Sequence, residues 1–181
     1  MKTLIALITL IAFSHGAYAE KGWLTNIDDA KKIAKTHKKL ILLEFTGSDW
    51  CPPCKALKKN VFDKQAFKDY AKENLVLVEL DFPRDRSKIT KEQYAYNRTQ
   101  AKEYGIRGYP TVFVLDANGK ELLKKVGFGP NSVEAYIKML KDAKFNSFQV
   151  MRGDTVLVVS DGGSQITLAK QPCHESLRPH T

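Results

Sequence analysis

Two of the three cysteines in this 181-residue chain flank a pair of prolines in the stretch Trp50-Cys51-Pro52-Pro53-Cys54-Lys55. A pair so spaced serves redox exchange, metal ligation or the closing of a rigid turn. A residue before proline avoids the helical region and proline suits the first helical position, so a helix is expected to start at Pro53, with Cys51 and Pro52 extended before it. Cys51 then stands at a helix N-terminus, where the dipole and free N–H groups favour a thiolate. Cys54 falls inside the first turn and is expected to be more sheltered. This asymmetry assigns Cys51 the attack on a partner's disulfide and Cys54 the resolution of the mixed disulfide that forms. Pro52 and Pro53 have no N–H, so the nearest donors to the Cys51 sulfur are those of Cys54 and Lys55. The double proline is expected to tune the centre by stiffening the loop and limiting the fall in the Cys51 pKa.

The other two uses fit less well. A structural zinc site wants four ligands, commonly a second Cys/His pair at similar spacing. Beyond the N-terminal 19 residues, only His37, Cys173, His174 and His180 remain for that role, and no metal site is expected. A disulfide closing so short a loop constrains the unfolded chain little.

The surrounding pattern supplies the elements that must hold the pair. "IDDAKKIAKTHKK" places Ile27, Ala30, Ile33 and Ala34 at helical spacing, with Asn26 or Asp28 as caps. "KLILLEFTG" is a continuous apolar run of strand length, the pattern of a strand buried on both faces, and it leads directly to the cysteines. A helix interrupted near Asn60 follows, with Ala56, Leu57, Phe62, Phe67 and Tyr70 facing inward, and then a second strand in "LVLVELDF". The polar stretch "PRDRSKIT" is predicted as a loop, the next segment as a helix ended by Gly105, and 109–128 as a hairpin turning at Asn118-Gly119. Asn131 or Ser132 caps a final helix ending near Ala143. The order α-β-α-β-α-β-β-α indicates an α/β domain with a mixed sheet. Residues 144–181 break the pattern and are expected to form a C-terminal extension, with a hairpin around Asp161-Gly162-Gly163 and a loose tail carrying Cys173.

Residues 1–19 have the layout of a secretory signal peptide: Lys2, an apolar run from Leu4 to Phe13, and Ala17 and Ala19 before the cut. That run falls short of the roughly 20 residues a membrane span needs, so no stable insertion is expected after cleavage. The mature protein is thus expected to be exported, periplasmic if bacterial and otherwise secreted, where disulfides persist. The net charge of +9 includes Lys2 and becomes +8 without it. The lysines alternate with apolar residues along helical segments, as on solvated helix faces, and nucleic acid is not an expected partner. Arg152-Gly153-Asp154 is taken as a turn, and Asn97-Arg98-Thr99 matches a glycosylation sequon inside a predicted helix.

With its run into "WCPPCK", its "EYGIRGYPT" some fifty residues later and its hairpin followed by a helix, the chain resembles the thioredoxin superfamily over approximately residues 24–143. Within it, the chain looks most like exported thioredoxin-like proteins and the C-terminal domain of membrane thiol:disulfide interchange proteins. The resemblance implies a thioredoxin-like fold, residues 20–143 as its domain, and thiol–disulfide exchange with protein cysteines without a bound cofactor. It implies a cis peptide at Tyr109-Pro110 beside the Cys51 sulfur, with Tyr109 backbone groups pairing with a substrate strand. Trp50 would be an apolar wall, and Glu44 would match the family's buried acid as a proton carrier for Cys54, although the family has Asp there and a shorter following loop. A membrane reductase of the interchange type would supply electrons. Two rivals stay open: a binding or chaperone module using the Tyr109-Pro110 groove without redox turnover, and a copper or zinc carrier using Cys51 and Cys54.

Overall fold

The computed structural model describes residues 22–129 and 132–152, with the side chains of 146–152 left out. The expected signal peptide and the hairpin and tail beyond Arg152 lie outside the described residues. The strands are β1 (Trp23–Leu24), β2 (Leu40–Thr46), β3 (Leu75–Asp81), β4 (Thr111–Leu115) and β5 (Glu121–Val126). The helices are α1 (Ile27–His37), α2 (Pro52–Leu57), α3 (Gln65–Asn74), α4 (Lys91–Glu103) and α5 (Val133–Arg152).

One sheet of order β1-β3-β2-β4-β5 forms the middle layer. β1, β3 and β2 run parallel, while β4 and β5 each run antiparallel to their neighbours. Every residue of β2 is buried, as its unbroken apolar run predicts for a central strand covered on both faces. Its alternation feeds two cores. Leu40 and Leu42 pack with Leu57, Phe62, Phe67 and Tyr136 on one face, and Ile41, Leu43 and Phe45 pack with Ile27, Val78 and Phe113 on the other.

Local chemistry sets the boundaries. Asn26 caps α1, its side chain accepting from the N–H groups of Asp28 and Asp29. The interruption expected near Asn60 is a π-helical turn over Lys58–Phe62, where Asp63 N–H reaches back five residues to Lys58 O at 2.8 Å. Gly105 follows α4 with φ at +59°, a conformation that costs glycine nothing. Asp116 organises the hairpin, its carboxylate accepting from Asn118 and Lys120 N–H. The Ser132 hydroxyl accepts from Ala135 N–H at the start of α5.

Three features depart from the sequence-based expectations. The two-residue β1, too short to carry a pattern, pairs with β3 through Trp23↔Leu77 and Leu24↔Val78. Helix α2 starts at Pro52, one residue early, with Cys51 alone extended as its cap and the two prolines, whose fixed φ suits a first helical turn, at its first two positions. Helix α5 runs to Arg152, past residue 143, so Arg152 is helical and not in a turn.

Candidate redox site

β2 ends at Thr46 and delivers the chain to a tight loop, in which Gly47 O accepts from the N–H groups of Trp50 and Cys51 at 3.3 and 2.9 Å. Cys51 follows with φ −93° and ψ 103°, the extended geometry of a helix cap, and α2 begins. Cys51 and Cys54 are joined in a disulfide with their Cα atoms 5.3 Å apart. The Cys51 sulfur accepts from Cys54 N–H at 3.3 Å. Lys55 N–H, the other donor expected there, is bonded to Cys51 O at 3.1 Å. With Pro52 and Pro53 filling the first two helical positions, one helical N–H therefore serves the sulfur. The expected difference in shelter is absent in this disulfide state, since Cys51 is 3% and Cys54 2% exposed. Position and hydrogen bonding, not exposure, distinguish the two.

Trp50 is 36% exposed and stands edge-on to Tyr109, ring centroids 5.6 Å apart. Its indole N–H donates to Phe82 O at 2.7 Å. The Tyr109-Pro110 peptide is cis, Pro110 is buried, and Pro110 O accepts from Gly127 N–H at 2.7 Å. Phe82 extends the wall, 5.4 Å from Tyr109 and 6.0 Å from Tyr94. The chain thus brings Tyr109 against Trp50, the residue before Cys51, while Pro52 and Pro53 between the cysteines are exposed.

Glu44 lies in β2 at the same parity as Leu40 and Leu42, on the face covered by α2, the π turn and α5. It is 2% exposed. Burial first, then the neighbouring Glu79, pushes its carboxyl up to about 8, against the opposing pull of Lys58 and a hydrogen bond from Thr46. The charge of Glu44 adds to burial in pushing the Tyr136 hydroxyl upward.

Several residues that shape the site carry no mark in the sequence. Gly47 is buried under the Trp50 ring, and a Cβ there would meet Trp50 Cε2 at 2.5 Å. The Asp49 carboxylate accepts from Arg84 and Asp85 N–H, both at 2.9 Å, and lies 3.7 Å from Lys88 Nζ. Those N–H bonds hold its carboxyl below the ordinary carboxylate range. Asp81 accepts from Ser48 N–H and the Ser48 hydroxyl at 2.9 and 2.5 Å. Asn97 is 1% exposed, donates to Asp81 O at 2.8 Å and accepts from Gln93, so it serves packing and not glycan attachment. The loop after β3, predicted from its polar residues, is exposed and is fastened to the redox loop. The bonded partners are mostly backbone groups some 30 residues away, which no local motif reveals.

Clefts of about 890 and 380 Å³ flank Trp23 and the β3 edge, and neither is lined by Cys51 or Cys54. Among the described residues no helix is long and apolar enough to cross a membrane, and no group of three or more His, Cys, Asp or Glu is placed to hold a metal ion.

A family profile described as "Thioredoxin-like domain" matches residues 27–144. The disulfide bond reductase DsbH of Chlamydia pneumoniae is 35% identical over 115 residues, covering 64% of this chain and 68% of that protein. A solved DsbH oxidoreductase structure superposes with a TM-score of 0.62 at 33% identity, over 67% of this chain and 82% of that one. The thiol:disulfide interchange protein DsbD of Campylobacter jejuni is 30% identical over 106 residues, which span 59% of this chain and 17% of DsbD. A thioredoxin of Thermus thermophilus, 19% identical with a TM-score of 0.53, shares the fold over 72% of this chain and 92% of its own. With its Cys-Pro-Pro-Cys disulfide at the head of α2 and this profile spanning residues 27–144, the chain belongs to the thioredoxin-like family.

Proposed function

We propose that this thiol–disulfide oxidoreductase works in the reducing direction on protein disulfides, outside the cytoplasm. One observation carries the direction: a single helical N–H serves the Cys51 sulfur. A strong oxidant of this class depends on a well-stabilised reduced thiolate, and a poorly stabilised one makes the dithiol the better electron donor. Similarity to a disulfide bond reductase points the same way.

In the proposed cycle, the Cys51 thiolate attacks one sulfur of the substrate disulfide, forming the mixed disulfide and releasing the other substrate sulfur, which takes up a proton. Cys54 then loses its proton and attacks the Cys51 sulfur. The Cys51–Cys54 bond forms, the mixed disulfide breaks, and the second substrate thiol leaves. Counting the proton that Cys51 released to solvent on ionising, two electrons and two protons have passed from the dithiol to the substrate. Glu44 serves as proton carrier for Cys54, since its carboxyl at about 8 is close to the ordinary thiol value of about 8.5, so a proton crosses with little mismatch. Tyr109 and Pro110 present the backbone against which a substrate strand lies, with Trp50 as the wall of that groove.

The apolar run at Leu4–Phe13 and Ala17 and Ala19 support export. In an oxidising compartment the disulfide must be re-reduced, and a membrane thiol:disulfide interchange protein is the donor this reading requires, in line with the resemblance to part of DsbD. A redox titration of the mature protein, with thiol trapping in its native compartment, tests the reading. A potential near about −270 mV with reduced cysteines is expected, and one near about −120 mV with a standing disulfide would overturn it.

A further inference from the structure

We propose that the loop from Arg84 to Lys88 gives the site a preference for protein disulfides flanked by acidic side chains, an inference that rests on the reductase reading and adds a substrate class to it. Arg84, Arg86 and Lys88 are exposed on this loop with one acid among them, Asp85. The acids nearby are turned onto donors of the two loops themselves. Asp85 accepts from Ser87 N–H and its hydroxyl at 3.0 and 2.7 Å, Asp49 takes the N–H groups of Arg84 and Asp85, and Asp81 takes Ser48. Arg84 and Arg86 are both exposed to solvent. Among the described residues neither Arg84 nor Arg86 has a carboxylate partner, whereas Lys88 shares Asp49.

The position of these cations ties them to the redox pair. Asp49, two residues before Cys51, fixes the backbone of Arg84 and Asp85. A run of ring contacts leads from Trp50 through Tyr109 and Phe82 to Tyr94, on which Arg86 lies 3.5 Å from the ring centroid. Arg86 also donates to the Tyr94 hydroxyl at 2.6 Å, so its side chain is held in place. Lys55, exposed on α2, is fixed to Asp49 O at 2.7 Å and adds a cation at the same loop. A substrate segment laid along the aromatic wall thus meets oriented positive charge, which favours acidic flanks through encounter rate and register.

The test uses two disulfide-closed peptides of one sequence, flanked either by glutamates or by lysines, with the reduced full-length protein. At low ionic strength the acidic peptide should be reduced about five- to tenfold faster, measured as kcat/KM, and the ratio should fall toward about one in half-molar salt. R84E/R86E should reverse the order, because both Asp49 bonds come from backbone N–H groups that the substitutions leave in place. Arg84→Gln should roughly halve the preference, and it decides the matter together with the salt series if the double variant does not fold. Equal rates for the two peptides, or a preference indifferent to these variants, would overturn the inference and leave the reductase reading intact. Failure of the wild-type protein to reduce either peptide would overturn both.

Discussion

Glu44 and Glu79 stand opposite each other in the parallel pairing of β2 and β3. Burial first, and the neighbouring Glu79 carboxyl second, penalise charge on Glu44 and push it up to about 8 from an ordinary 4.5. Between those values the folded chain keeps a proton that the unfolded chain has lost. Stability contributed by the protonated carboxyl is therefore fully present below 4.5 and lost as pH rises toward 8, at up to about 1.4 kcal/mol per unit. Glu44→Gln should remove this slope. Urea unfolding of the oxidised wild type and variant across that window should show the stability difference growing with pH in favour of the variant; parallel curves would refute the assignment.

Gly47 owes its identity to the ring above it. Gly47→Ala should force Trp50 off its perch, break the bond to Phe82 O and cost about 1–3 kcal/mol. Urea midpoints would give the cost. Fluorescence in a Trp23→Phe background would report Trp50 alone, since the chain has two tryptophans.

The fates of two buried polar side chains should differ. Asn97→Ala removes the donor to Asp81 O and should destabilise the fold by about 1–3 kcal/mol. Tyr136 has a buried hydroxyl with no hydrogen-bond partner, so Tyr136→Phe should be neutral or stabilising to within about 1 kcal/mol. Denaturant titrations of the two variants side by side would check both.

The two cysteines should separate in trapping experiments. Cys54→Ser should accumulate mixed disulfides with substrate proteins, visible on non-reducing gels, because the second attack is lost. Cys51→Ser should accumulate none and should lose reductase activity. Full activity of Cys51→Ser in cells would favour a binding module over a redox one, and metal recovered with the reduced protein would favour a metal carrier.

Much of this site was readable from residue types, for physical reasons. β2 announced itself because a strand buried on both faces has no polar alternation, and Cys51 because prolines restrict the backbone on either side of them. The interruption near Asn60 was readable as a place, though not as a π turn, since the extra residue is decided by how Val61 and Phe62 reach the core. β1 was hidden by its length. The Asp49 and Asp81 attachments were hidden because a carboxylate bonding distant backbone N–H groups leaves no periodicity behind. The near-equal burial of Cys51 and Cys54 depends on the packed loop and not on helix position.

Helix α5 has 20 residues and reaches Arg152, whereas Ala143 is the last buried position described along it. At about 1.5 Å per residue, the helix continues roughly 13 Å beyond that anchor. Arg152 therefore lies roughly two and a half helical turns past that anchor. A reporter joined at Arg152 would inherit the orientation of α5, turning by about 100° for each residue by which the junction is moved along it.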